Sequence, residues 1–159
     1  MKIRLFAKDD LPAILAIQQK NPQAAGWLAA DYTRLCGNPG GLVLVAELQT
    51  MTPSKVLGFA AFHRVIDEAE LRNMAVDPSH QHRGVGKALL EEARKRLMED
   101  GAKRVYLEVR PSNKPALGLY YSVGFGLHSL RKDYYRDPRE DAYVLALELF
   151  PPTVVPAGT

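Results

Sequence analysis

Apolar and polar positions first alternate with a period of two. Over Lys2–Ala7, Ile3, Leu5 and Ala7 interleave with the charged neighbours Lys2, Arg4 and Lys8, the pattern of a half-buried strand. The period then lengthens. Asp9 or Asp10 can cap a helix with Pro12 in its first turn, and Leu11, Ile14, Leu15 and Gln18 keep helical spacing until Asn21-Pro22 stops it. A short second helix fits Trp27–Cys36, ended by the turn-rich Gly37-Asn38-Pro39-Gly40-Gly41. Leu42–Leu48 and Val56–Val65 are β-prone runs that a hairpin loop over Gln49–Lys55 joins, and Glu68–Val76 is a further strand. From Gly84 or Val85 the helical period returns, with Val85, Leu89, Ala93 and Leu97 on one stripe and Leu90 beside it, up to Gly101 as a C′ glycine. Arg104–Arg110 reads as a strand, and a helix runs from Asn113 or Lys114 to about Val123, closed by Gly124. Phe125–Leu130 and Ala142–Leu149 read as a closing antiparallel pair around a polar loop, Arg131–Asp141. The terminal PPTVVPAGT lacks periodicity and is expected to be disordered.

Strands first, then strand–helix–strand–helix–strand, predict one α+β domain over residues 1–150 with a mixed sheet. Glu68–Arg110 supplies the right-handed crossover between two parallel strands. The 159 residues suffice for a single core. The lone Cys36 forms no internal disulfide and reads as a small buried apolar residue in a reducing compartment. The first residues, MKIRLFAKDDL, have no signal-peptide core and no apolar run is long enough to span a bilayer, so a cytoplasmic protein is expected. The net charge of +3 is mild. Its dense run, Arg94-Lys95-Arg96, is offset one turn earlier by Glu91 and Glu92, which predicts a solvated helix face and no direct nucleic-acid binding.

The stretch Asn73–Leu90, NMAVDPSHQHRGVGKALL, reads as a strand end, a Pro-containing turn, a glycine-bearing loop and a helix start. The first N–H groups of a helix have no intrahelical partner and carry partial positive charge, so they suit an anion. Gly84 and Gly86 would let a phosphate approach that backbone. Alone, Gly-x-Gly is weak evidence, since an ordinary loop explains it equally well.

A longer comparison of residues is more specific. Gln81-His82-Arg83-Gly84-Val85-Gly86, after Met74-Ala75-Val76-Asp77-Pro78, resembles the Gln/Arg-x-x-Gly-x-Gly/Ala signature of the GNAT acyltransferase superfamily. Leu107–Phe125, LEVRPSNKPALGLYYSVGF, resembles its second signature. Arg131-Lys132-Asp133-Tyr134-Tyr135 followed by Glu140-Asp141-Ala142 is similar to the ribosomal-protein-alanine N-acetyltransferase subgroup, which acetylates a protein's N-terminal residue. The match is clear from about Glu68 to Leu147, half the chain, while the N-terminal half fits in pattern only.

The resemblance implies a GNAT-like sheet, mixed and mostly antiparallel, with a central parallel pair splayed around the cofactor and helices on both faces. That cofactor would be acetyl-CoA, its pyrophosphate on the N–H groups of Gln81, His82, Arg83, Gly84, Val85, Gly86 and Lys87. Its pantetheine would bond to the backbone of Met74, Ala75 and Val76 and to the side chain of Asn113, which otherwise reads as a helix cap. A backbone N–H near Ala75 or Val76 would stabilise the oxyanion.

In the same register Glu108 matches the proton acceptor. It faces away from Val105, Leu107 and Val109; the plainer reading is a surface carboxylate paired with Arg110 or Lys103. Tyr120 matches the proton donor, against the plainer reading of a core aromatic. Tyr134, with Tyr135 and Arg131, matches a peptide-gripping loop. Trp27 falls where the subgroup has a tryptophan, but Leu28-Ala29-Ala30 replace the usual Ser-Glu and Arg72 stands where an apolar aromatic is usual. Both departures lie on the acceptor side. Glu70 is a rival base, from other branches of the superfamily. His63, His80, His82 and His128 lack metal-ligand spacing, so no metal is expected. Direct transfer to the N-terminus of a protein, by a monomer or weak dimer without membrane attachment, is the leading expectation. Transfer to a small amine or lysine side chain, and a non-catalytic CoA-binding module, are the alternatives.

Overall fold

The structure is a computed structural model that describes residues 1–49 and 52–149. The expected disorder of the tail 151–159, and part of the loop expected over Gln49–Lys55, lie outside the described residues. Seven strands form one sheet: β1 (Lys2–Leu5), β2 (Gly41–Leu48), β3 (Lys55–Val65), β4 (Glu68–Val76), β5 (Arg104–Val109), β6 (Gly126–Tyr135) and β7 (Glu140–Glu148). Their spatial order is β1-β2-β3-β4-β5-β7-β6. Neighbours are antiparallel except for β4 and β5, which pair parallel. Among the described residues, four α-helices pack on the sheet: α1 (Leu11–Gln19), α2 (Ala29–Cys36), α3 (Val85–Glu99) and α4 (Lys114–Val123).

The sheet has a core on each face. On one, Ile14 and Ile17 of α1 and Tyr32 of α2 bury against Val43, Val45, Phe59, Ala61 and Ala75. On the other, the α3 stripe Val85, Leu89, Leu90, Ala93 and Leu97, with Leu117 of α4, covers Leu44, Phe62, Leu107 and Leu145. Strands β2 and β3 are covered on both faces, which is why they read as continuous apolar runs while β5 alternates. None of the described helices is long and apolar enough to cross a membrane.

Three expectations change. The segment Arg131–Asp141 is not a loop: β6 runs on to Tyr135 and β7 begins at Glu140. As the sheet's edge strand, β6 is exposed at nearly every position, so it lacks the hydrophobic alternation that marks a strand. On α3, Glu92 pairs with Arg96 at 3.0 Å as its spacing implies, but Glu91 turns to Arg94 at 3.6 Å. Cys36 is exposed at the end of α2, so its burial as a small apolar residue does not hold. The seam between β1 and β2 carries a denser network. Arg4 grips Asp10 through two bonds of 2.8 Å and reaches Glu47 at 2.8 Å.

Candidate functional site

The parallel pairing of β4 and β5 is short. It joins Glu68 to Arg104, Ala69 to Val105 and Glu70 to Tyr106, and then ends. Beyond that point β4 continues along β3 to Val76 while β5 continues along β7 to Val109, so the two strands part. A bulge helps. On β4, Arg72 is the extra residue between the pairs Phe62–Leu71 and Ala61–Asn73, and such an insertion bends its strand. The bond of Asp77 N–H to Leu57 C=O at 2.7 Å extends the ladder and fixes its parity. By antiparallel alternation, Ala75 is committed to Phe59, while the backbone groups of Met74 and Val76 face the gap that β5 leaves.

At the end of β4 the buried Asp77 turns the chain by accepting from Ser79 N–H at 3.0 Å and Ser79 Oγ at 2.7 Å. Its carboxyl is held below its ordinary value by those Ser79 bonds. His82 and Gly84 both take positive φ, 62° and 83°, before α3 starts. The first helical bond is Ala88 N–H to Gly84 C=O at 3.0 Å, so the N–H groups of Val85, Gly86 and Lys87 have no intrahelical partner. His82, Arg83 and Lys87 stand exposed around them. The two glycines do different work. At Gly84 a Cβ would meet nothing within 4 Å, so the left-handed backbone is what calls for glycine. At Gly86 a Cβ would stand 2.9 Å from Leu119 and 3.1 Å from Met74, so its small size serves the packing of α3 on α4 and β4. Gln81 ties the loop down, donating to Asn21 Oδ1 at 3.1 Å and Val76 C=O at 3.3 Å.

A cleft of about 510 Å³ opens where β4 and β5 separate. Its walls are Glu70–Met74 of β4, Leu107, Glu108 and Arg110 near the end of β5, Tyr120 of α4, Tyr134 and Tyr135 of β6, and the loop Pro22–Ala25. Glu108 occupies the half-buried face of β5, opposite the buried Leu107 and Val109. Its ion-pair partner is Arg131 at 3.4 Å, while Arg110 pairs with Glu140 at 3.3 Å. Tyr120 packs edge-on to Phe125 at 5.8 Å, and burial pushes its phenol up to about 12. Tyr134 is 45% exposed, and interaction with Glu108 raises its phenol. Tyr135 is half-buried under the Arg110 guanidinium, 4.3 Å from its ring, and burial pushes it up to about 12. All three phenols therefore keep their protons at neutral pH.

The structure thus brings Glu108, Tyr120, Arg72 and Tyr134 to one cleft, together with Glu70, the rival base. It does not bring Trp27 there. That ring is packed 5.0 Å from Tyr32 in the smaller core. Asn113 is the N-cap of α4, accepting from Ala116 N–H at 3.4 Å through Oδ1. Tyr135, expected beside Tyr134, lines the same cleft, and two contributors escaped sequence reasoning: Arg110 and the loop Pro22–Ala25. Arg110 shares the strand face of Glu108 two residues on, which is a usable signal. Nothing in the sequence marks Pro22–Ala25, which reaches the cleft only through tertiary packing.

Comparison with known proteins agrees with this geometry. Residues 11–125 match the model of the Acetyltransferase (GNAT) family. The chain is 39% identical over 142 residues to the [Ribosomal protein bS18]-alanine N-acetyltransferase of Escherichia coli K12, covering 88% of this chain and 92% of the relative. It is 37% identical over 149 residues to the enzyme of that name from Salmonella typhimurium LT2, covering 92% and 97%. The crystal structure of the ribosomal-protein-S18-alanine N-acetyltransferase from Escherichia coli superposes with a TM-score of 0.79 at 36% identity, covering 93% of each chain. With the fold, the parted strands and the sequence in agreement, this chain belongs to the GNAT family of acetyltransferases.

Proposed function

We propose that the chain acetylates the N-terminal α-amino group of a ribosomal protein, with acetyl-CoA as donor, Glu108 as general base and Tyr120 as general acid. The observation that carries this reading is the convergence of Glu108 from β5 and Tyr120 from α4 on one cleft, beside the tyrosine pair of β6. The relatives support the acceptor class, since they are named for the alanine of ribosomal protein bS18.

The residues present fit acetyl-CoA. Free helix N–H groups at Val85–Lys87 with the cations Arg83 and Lys87 suit a pyrophosphate. The Met74 C=O and Val76 N–H, which face the gap, suit the amides of pantetheine, whereas Met74 N–H already donates to Asn73 Oδ1 at 3.1 Å and Val76 C=O accepts from Asn21 Nδ2 at 3.1 Å. Asn113 Nδ2 is not used by the cap. Bound there, acetyl-CoA supplies an acetyl group activated as a thioester. Of the two N–H groups considered for the oxyanion, that of Val76 faces the gap while Ala75 is committed to Phe59.

An α-amine has a pKa near ~8, so a single carboxylate within reach suffices to take the proton it sheds. Glu108 holds that position, steadied by Arg131. Tyr120 acts as a poor acid. With its phenol pushed up by burial, well above an ordinary thiol near ~8.5, complete proton transfer to a thiolate is unfavourable. Its Oη therefore stabilises a departing sulfur mainly as a hydrogen-bond donor. Tyr134, Tyr135 and Arg131 line the approach of the peptide.

The test follows thiol release from acetyl-CoA with N-terminal peptides, free amines and peptides whose only amine is an internal lysine. N-terminal peptides, with ribosomal-protein sequences foremost, should be the substrates. Turnover only with polyamines or aminoglycosides would sink this reading.

A further inference from the structure

We infer that Asn73 is the positioning residue of the acceptor wall: its side-chain amide holds the loop Pro22–Ala25 against the cleft. The proposal rests on the cleft described above but not on which amine enters it. Asn73 follows the β4 bulge and is 5% exposed. Its amide pairs with the backbone of Ala25 in both directions. Oδ1 accepts from Ala25 N–H at 3.0 Å, and Nδ2 donates to Ala25 C=O at 3.2 Å. A side chain thus stands in for a strand, binding the loop as a ladder partner would.

Asn73 is itself fixed by a buried polar chain. Nδ2 lies 3.0 Å from Tyr32 Oη, which donates to Gln18 Oε1 at 2.5 Å, and Gln18 Nε2 donates to Trp27 C=O at 2.8 Å. The chain links α1, α2, the loop and β4, and it anchors the loop at Ala25 and again at Trp27. Buried polar groups are costly unless satisfied, so such a network selects one arrangement of the segments it joins. The chosen arrangement puts Pro22, Gln23, Ala24 and Ala25 opposite Glu108 and Tyr134. Asn73 lines the cleft, and its Oδ1 also accepts from Met74 N–H at 3.1 Å, but it takes no part in bond making in this scheme. It sets the width of the space that receives the acceptor's first residue, and Trp27 braces the same loop through its carbonyl.

The experiment compares Asn73→Ala and Tyr32→Phe with Val43→Ala, which opens a cavity in the same small core without touching the hydrogen-bond chain. Both Michaelis constants and the melting temperature are measured for the full chain. Asn73→Ala should raise the acceptor KM about tenfold and leave the acetyl-CoA KM within about twofold, as loss of acceptor binding requires. Discrimination between first residues, read as the ratio of kcat/KM for Ala- and Met-starting peptides, should narrow. Tyr32→Phe, which keeps the ring packing, should move the acceptor KM the same way by about threefold. Val43→Ala should lower the melting temperature and move neither KM. Equal effects of Val43→Ala and Asn73→Ala on the acceptor KM, or a parallel rise in both constants, would reduce Asn73 to a structural residue. Should Asn73→Ala not fold, Tyr32→Phe decides the matter alone, and an unchanged acceptor KM there overturns the proposal. If the wild type proves to use a small amine, the peptide reading fails while the same split in KM still decides the role of Asn73.

Discussion

The two halves of the site are built by different means. The half proposed for the cofactor is nearly continuous in sequence: the edge of β4, the turn at Asp77 and the start of α3 lie within Met74–Lys87. Its groups are mostly backbone, so what it asks of the sequence is conformation, such as the left-handed Gly84. The acceptor half is assembled from a loop before α2, the bulge of β4, the end of β5, α4 and the edge strand β6. Its groups are side chains held by bonds between residues far apart, among them Asn73 to Tyr32 and Asn73 to Ala25. A backbone cradle tolerates much side-chain change, whereas a cleft of side chains changes with each substitution. One architecture can therefore keep its cofactor while its acceptor varies.

The sharpest way to separate the halves is Glu108→Gln, which should lower kcat about 10²–10³-fold and leave the acetyl-CoA KM unaltered. The loss should be greatest below the amine's pKa, where a proton must be removed, and shrink above about pH 8. A pH–rate profile of unchanged shape would remove Glu108 from the base role. The converse is Gly84→Val. A β-branched residue at φ 83° is strained although space is open around it, so the loop must shift. The acetyl-CoA KM should rise about tenfold with the acceptor KM little changed. If both constants rise together in either variant, the halves are not separable.

Much of the cofactor half was legible beforehand. The helix start, the glycine loop and the strand ending at Val76 follow from local pattern, and the family resemblance supplied their ligand. The parted strands were legible only through that resemblance, since they depend on where a parallel ladder stops, which no residue type announces. The acceptor half was legible only where family register singled out a residue, as with Glu108, Tyr120 and Tyr134, since residue type alone favoured plainer structural roles for them. Tyr134 and Tyr135 were read as part of a loop, because they fall in an edge strand exposed at nearly every position and so without strand alternation. Asn73 looked unremarkable until its four partners, from segments 41 to 55 residues away apart from the adjacent Met74, converged on it.

Smaller effects sharpen the contrast further. Tyr120→Phe should slow kcat about tenfold, because a hydrogen bond to sulfur is lost but thiolate is already a fair leaving group. Arg4→Met lies outside both halves and should leave both KM values unchanged. Its effect is on acid stability. The Asp10 carboxyl is pushed up by burial, but bonds from Arg4 and Ala7 N–H outweigh this and hold it below its ordinary value; Glu47 is held down chiefly by Arg4. Both stabilise the fold fully above their ordinary values near ~4, and that contribution is lost as pH falls through their lowered folded values. Melting temperatures in acid should therefore fall in the wild type, with this component of the slope missing in Arg4→Met.

The central claim is that the acceptor cleft receives a chain terminus. It is tested most directly by localising the acetyl group, using fragmentation mass spectrometry, on a ribosomal N-terminal peptide that also contains an internal lysine. The account predicts acetyl on the α-amino group alone, with the product lost in Glu108→Gln. Acetyl on the lysine side chain, with a free N-terminus, would contradict it.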